Sequence, residues 1–402
     1  MVNNIISKIY VALILLVIKL INSNLFWWLL MKRREFVTGA ALLAGLSACA
    51  QEELEQANSS SGSTEKFEWN MATSWPPHLP GLGVGADNLA KNIEIASNGR
   101  LKIKVYAGGE LVPPLEVFDA VSQGTVHMGH DSSYYHRGKI PSAPYFTTVP
   151  FGLNVNEMNA WLYFGGGLEL WQKAYMPFNI LPFPVGNTGV QMLGWFNKEI
   201  NHINDINGLK IRMPGLGGEI MQRAGAVQVT MAGSEIFTSL QTGAIDAAEW
   251  VGPYNDVSLG LHKAAKYYYY PGFHEPGPNI ECIINRDAWE TLPPDLQAIV
   301  KIACQSSNIQ MTSEYMWGNA VALEQLKADQ NIKLNQIPQD VFNQLKMHAK
   351  AAIEDLSNND ALSEEVQGSV SNFINLSSSN QEITELAYLK MRINSSKFDN
   401  SK

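Results

Sequence analysis

One run of residues, 295–329, limits the possible folds more than any other stretch. It holds no proline and a single glycine, Gly318, so nothing in it stops a helix. At 1.5 Å per residue such a helix reaches about 50 Å, more than one small domain is wide. Such a helix is long enough to span two domains, and 402 residues suffice for two or more domains with real cores. Just ahead of it, Trp289 and Leu292 read as the packing face of a short helix, and Pro293-Pro294 starts the next one.

Upstream, the pattern alternates. Residues 67–73 read as a strand, 81–95 as a helix, 101–106 as a strand and 115–123 as an amphipathic helix. This alternation predicts an α/β fold with largely parallel pairing. Ligands in such folds sit at the carboxyl ends of the strands. The glycines of Gly81-Leu82-Gly83-Val84-Gly85 are spaced Gly-x-Gly-x-Gly rather than Gly-x-Gly-x-x-Gly, which sets a dinucleotide loop aside. Tyr267-Tyr268-Tyr269-Tyr270 reads as a strand with one buried face.

Two predicted strand ends carry a charge. Arg212 closes the short run 209–211 and precedes the turn residues Pro214-Gly215. Its planar guanidinium matches a carboxylate through two parallel hydrogen bonds. Glu249 ends a second strand-like run, 244–248, after a helix pattern closed by Gly243. One end offers an anion binder and the other a cation binder. Together they predict a pocket for a small organic acid with a metal ion. Asn187, in Asn187-Thr188-Gly189, reads equally as a donor to such an acid and as a turn residue.

Composition excludes other classes. Hydrophobic residues make up 46% and charged residues 17%, as in an ordinary globular protein, and the net charge is −9. Beyond residue 48 there remain 24 basic and 37 acidic residues, a net of −13. That balance argues against nucleic acid as a partner and makes a local positive site such as Arg212 more significant. His127, His130 and His136 cluster in sequence, but no cysteine or ordered glutamate partners them, so a strand running into a loop is preferred over a zinc site. Gly-x-Ser-x-Gly, His-Glu-x-x-His and Cys-x-x-Cys are all missing, which counts against the common hydrolase and redox enzymes.

The first residues read as an export leader, 1–48. Within it, Arg33-Arg34 and the weakly apolar run to Leu46 form a twin-arginine-type signal over 31–48, with a Sec signal as the alternative. Leu46-Ser47-Ala48-Cys49 has the form of a lipoprotein box, so a lipid anchor through Cys49 is expected. Residues 1–30 are broken by Lys19 and Asn22-Ser23-Asn24, and translation from Met31 is preferred. Residues 49–66 read as a flexible tether. Cys282 and Cys304 are the other two cysteines; whether they pair stays open.

Three stretches carry a family resemblance: Leu209-Lys210-Ile211-Arg212-Met213-Pro214, Leu240-Gln241-Thr242-Gly243-Ala244-Ile245-Asp246 and Asn285-Arg286-Asp287-Ala288-Trp289-Glu290-Thr291-Leu292-Pro293. They resemble the extracytoplasmic solute receptors of TRAP transporters, and the likeness runs from about residue 67 to at least 329. Gly186-Asn187-Thr188-Gly189-Val190-Gln191-Met192 and Glu249-Trp250-Val251-Gly252-Pro253-Tyr254-Asn255-Asp256 are similar to the branch that binds 2-oxo acids such as pyruvate together with sodium.

The resemblance implies a two-lobed periplasmic binding fold with a hinge. Lobe I would be 67–190 plus 278–318 and lobe II 191–277 plus 319–370, with a C-terminal helix and tail over 371–402. It implies Arg212 for the acid; Gln191, Glu249 and the carbonyl of Trp250 for the cation; and Tyr134, Tyr135, Trp75, Gln191 and the ring of Trp250 lining the pocket. Tyr254 and Phe273-His274-Glu275 are weaker candidates. Sodium is the expected ion, with calcium open. Also implied are TRAP permease subunits as partners, no catalysis, and a homodimer through C-terminal helices. Lactate with calcium, a periplasmic enzyme on an organic acid, and a sensory receptor remain as alternatives.

Overall fold

A computed structural model describes residues 65–399; the expected leader, Arg33-Arg34, Cys49 and nearly all of the tether lie outside them. Two sheets organise these residues. The first holds β1 (Phe67–Thr73), β2 (Leu101–Tyr106), β3 (Met128–Asp131), β4 (Ile180–Asn187) and β10 (Asn279–Asn285), in the order β2-β1-β3-β10-β4. The second holds β5 (Gly194–Phe196), β6 (Lys210–Arg212), β7 (Val227–Val229), β8 (Ala247–Ala248), β9 (Tyr267–Tyr270) and β11 (Lys333–Gln336), in the order β11-β9-β5-β8-β6-β7.

Pairing is mixed rather than largely parallel. β1 runs parallel to β2 and β3, but β10 lies antiparallel between β3 and β4. In the second sheet β5 lies antiparallel between β8 and β9, while the other neighbours are parallel. Each reversed strand follows one from the opposite sheet. A chain arriving that way has no helical crossover to restore its direction. The central strands are covered on both sides: all seven residues of β10 are buried. The tyrosine strand corrects the one-face expectation for the same reason. Tyr268 and Tyr269 point to opposite sides and both are buried.

The long helix spans Pro294–Ala328, 35 residues. It packs on β4 and the Leu82–Ala96 helix from the first sheet and on the Pro253–Ser258 helix from the second. A hydroxyl on the long helix and an amide on the Pro253–Ser258 helix tie the two together: the Tyr315 hydroxyl donates to Asn255 Oδ1 at 2.7 Å, and Asn255 Nδ2 donates to the Pro80 carbonyl at 2.8 Å. Near the start of the Leu82–Ala96 helix, a Cβ on Gly83 would lie 2.8 Å from the Pro76 carbonyl. That glycine serves backbone approach. Cys282 on β10 and Cys304 on the long helix are buried neighbouring thiols, both free.

The C-terminal region is more helical than its Ser/Asn content suggests. Gln339–Ser357, Ala361–Gln381 and Ala387–Asp399 are α-helices, the last two joined by a π turn, Glu382–Leu386. Asp360 Oδ1 accepts the Ser363 N–H at 2.7 Å and so starts the second of these helices. Val366 and Val370, one turn apart, bury its inner face. No helix among the described residues is long and apolar enough to cross a membrane.

Candidate functional site

Strand ends from both sheets converge on one buried cluster of polar and aromatic side chains. β6 delivers Arg212 and β8 delivers Glu249 at its next residue, while β4 ends in Asn187 and the turn after it delivers Gln191. The segment after β9 brings His274 and Glu275, that after β3 brings Tyr134 and Tyr135, and that after β1 brings Trp75.

Arg212 is 1% exposed and does not stand alone. Its Nη1 donates to the Glu249 carbonyl at 2.6 Å and lies 3.4 Å from Glu249 Oε2, and Nε donates to the Met231 carbonyl at 3.4 Å. The guanidinium carbon sits 4.9 Å from the centre of the Trp250 ring. The Trp250 ring in turn covers Gly233, where a Cβ would come within 2.5 Å of it. Arg212 and Glu249, read from the sequence as separate binders, thus form one buried pair. Nη2 of Arg212 has no hydrogen-bond partner among the described residues.

The same holds for several oxygens. Glu249 Oε1, Glu275 Oε2 and Gln191 Oε1 are buried and have no hydrogen-bond partner among the described residues, although His274 Nε2 lies 3.8 Å from Glu249 Oε1. The Gln191 amide is oriented by Nε2, which donates to Thr188 Oγ1 at 3.0 Å. Its backbone is clamped to the opposite loop: the Gln191 N–H donates to the Glu275 carbonyl at 3.1 Å, and the Gly272 N–H donates to the Gln191 carbonyl at 3.0 Å. Glu249, His274 and Glu275 bring one ligand atom each within 4.8 Å of one another. Burial pushes the carboxyls of Glu249 and Glu275 up to about 8 despite the Arg212 guanidinium. Burial also lowers the His274 imidazole. An unsatisfied buried polar atom is costly. Carboxyl oxygens of this kind around the Arg212–Glu249 pair, with the Gln191 backbone clamped to Glu275, fit a hard cation and an anion bound side by side.

The remaining predicted residues enclose this centre. Trp75 meets the Trp250 ring edge-on at 6.4 Å and donates from Nε1 to His130 Nδ1 at 2.7 Å. Tyr134 and Tyr135 pack edge to face at 4.8 Å, and their phenols feel both Arg212 and Glu275; burial pushes Tyr135 up to about 12. Asn187 is engaged at both ends of its amide: Nδ2 donates to the Gly277 carbonyl and Oδ1 accepts the Gly189 N–H, each at 2.9 Å. Tyr254 points elsewhere, donating to Glu314 on the long helix at 3.1 Å. The three histidines go separate ways. His127 stacks on Trp69, His130 serves Trp75, and His136 Nε2 lies 3.1 Å from Asp131 Oδ2 and 3.2 Å from Glu281 Oε1. Burial alone would lower His136, but these carboxylates hold it at about 9.

Sequence reasoning undervalued Glu275 and missed Asp131, Asp256 and Glu281. A signal was present for Glu281: it is the one acid inside the otherwise uncharged run Asn279–Asn285, and a buried acid demands partners. It finds them in Ser133 and Tyr175, both donating to Oε2 at 2.9 Å.

Comparison with known proteins places this geometry. The profile of the family described as Bacterial extracellular solute-binding protein, family 7, matches residues 71–360. The monocarboxylate 2-oxoacid-binding periplasmic protein of Nostoc sp. is 48% identical over 298 residues, 74% of this chain and 82% of that one. A TRAP periplasmic solute-binding protein from Pseudoalteromonas atlantica, solved with bound sodium and pyruvate, superposes with a TM-score of 0.79. The two are 37% identical, and the match covers 81% of this chain and 99% of the other. Its counterpart from Colwellia psychrerythraea, solved with bound calcium and pyruvate, gives 0.79 at 38% identity, with 81% and 99% covered. The chain therefore belongs to the bacterial extracellular solute-binding proteins of family 7 and is an extracytoplasmic solute receptor of a TRAP transporter, not an enzyme.

Proposed function

We propose that this receptor captures a 2-oxo monocarboxylate of the pyruvate class together with a cation and delivers both to a membrane permease. One observation carries the reading: the buried Arg212–Glu249 pair keeps a guanidinium nitrogen without a hydrogen-bond partner, and Glu249 and the neighbouring Glu275 each keep a buried carboxyl oxygen without one. In this reading Glu249, Gln191 and the Trp250 carbonyl hold the ion, sodium or calcium, and it supplies positive charge to the acid. Arg212 binds the carboxylate, and the remaining Asn187 amide hydrogen meets a ligand oxygen. Tyr134, Tyr135, Trp75 and the Trp250 ring shape the acid's space. The relatives that bind pyruvate with sodium or calcium support this assignment.

The proposal extends to the whole receptor. Lobe I is 67–190 plus 278–318 and lobe II 191–277 plus 319–370, closing on the ligand about the crossings between them. The exposed apolar residues Leu376, Ile383, Tyr388 and Met391 support a homodimer through the C-terminal helices. Export by a twin-arginine signal and anchoring through Cys49 complete it. The test is calorimetry on protein unfolded, freed of ligand and refolded. Pyruvate is titrated in sodium, in calcium and in neither. Binding that requires a cation is expected; absence of binding in all three buffers sinks the reading.

A further inference from the structure

Asp256 is a carboxylate with 1% exposure that no part of the ligand site yet accounts for. It lies on the Pro253–Ser258 helix, just after the Glu249-Trp250 pair. Four donors converge on it, all uncharged. The Val251 and Gly252 N–H groups reach Oδ1 at 3.3 and 3.2 Å. Trp195 Nε1 and the Tyr268 hydroxyl reach Oδ2 at 2.9 and 2.7 Å. The first pair alone is ordinary helix-start capping. The second pair is not: those rings belong to β5 and β9 and stack face to face, 4.0 Å apart. Asp256 thus ties the 249–252 loop to the interior of the second sheet. Its reach goes one bond further. The Val251 carbonyl accepts the Met192 N–H at 3.0 Å, and Met192 adjoins Gln191. A single peptide, Val251–Gly252, is gripped on one side by Asp256 and on the other by the segment that carries Gln191.

We propose that Asp256 is the positioning residue of the cation site: it fixes the 249–252 loop so that Glu249, the Trp250 carbonyl and Gln191 present their oxygens to one ion. This rests on the cation reading above, and the outer partners of metal ligands are known to act in this way.

The test uses ligand-free full-length receptor, sodium or calcium chloride as the ion, and pyruvate binding as the report. Asp256→Asn removes the charge and turns an amide toward two of its donors. The cation concentration for half-maximal pyruvate binding should rise at least about 10-fold, the lower end of such outer-partner effects. At saturating cation, pyruvate affinity should return to within about threefold of the parent, a small fraction of that shift. Tyr268→Phe and Trp195→Phe each remove one donor and should shift the cation midpoint in the same direction by less. They carry the test if Asp256→Asn fails to fold. An unchanged midpoint in the variants overturns the inference. So does a loss of pyruvate affinity that is equal at limiting and saturating cation, because a role in general folding predicts that. A parent that binds pyruvate without any cation dependence overturns the underlying reading instead, and is seen before any variant is made.

Discussion

Arg212 commits Nη1 to the Glu249 carbonyl and leaves Nη2 without a hydrogen-bond partner among the described residues, available for an acid. Lysine keeps the charge but cannot do both, so Arg212→Lys should lose one charge-assisted hydrogen bond to the acid, worth about 1.5–3 kcal/mol. Pyruvate should bind roughly 10- to 150-fold more weakly by calorimetry. Affinity within about threefold of the parent would place the acid elsewhere. Glu249→Gln tests the ion instead. The amide keeps an oxygen donor but removes the charge that offsets a hard cation. Cation and acid affinity should fall together, because each raises the other's binding reciprocally. If the cation dependence of pyruvate binding is unchanged in that variant, Glu249 is not a ligand. Both residues were legible in the sequence because each ends a short apolar run before a turn. Their pairing was not, since it joins strands 37 residues apart. Glu275 was underweighted for the same reason: its neighbours Glu249 and Gln191 arrive from other loops.

At the level of elements, the long helix and the alternating first half were readable because proline content and hydrophobic period are local properties. Strand direction was not, because β5 and β10 reverse through their place in the tertiary structure. The C-terminal helices were understated because docking of Val366 and Val370 overrides weak propensity. One loop contact is especially exacting. At Gly272 a Cβ would lie 2.3 Å from the Gln191 carbonyl oxygen and 2.9 Å from the Met192 carbonyl carbon, both backbone atoms that cannot swing aside. Gly272→Ala must displace the Gln191 segment. Overpacking of this kind costs about 1–3 kcal/mol. The variant should melt lower and need more cation for pyruvate binding. A variant whose melting and cation dependence match the parent would show that this approach is not needed.

Taken as a whole, the receptor holds two acids in its centre that are easier to keep protonated than in the unfolded chain. Glu249 and Glu275 are raised from an ordinary 4.5 to about 8, chiefly by burial. The folded state therefore keeps protons that the unfolded chain has released. The resulting stability is full below pH 4.5 and is lost as pH rises toward 8. His136, raised to about 9 by Asp131 and Glu281 against the burial that lowers it, loses its contribution in the same direction above 6.5. His130 and His274, lowered by burial, act oppositely and only below 6.5. Between pH 6.5 and 8 the ligand-free receptor should thus lose melting temperature as pH rises. If the ion binds at Glu249 as proposed, its charge displaces the proton there and disfavours the one on neighbouring Glu275, while His136 is left untouched. Sodium or calcium with pyruvate should therefore flatten the slope without abolishing it, and stabilise the protein more at pH 8 than at 6.5. Melting curves at both pH values, with and without ligand, decide the matter. Parallel slopes would mean that neither carboxyl exchanges its proton for the ion, and that the cation sits away from the Glu249–Glu275 pair.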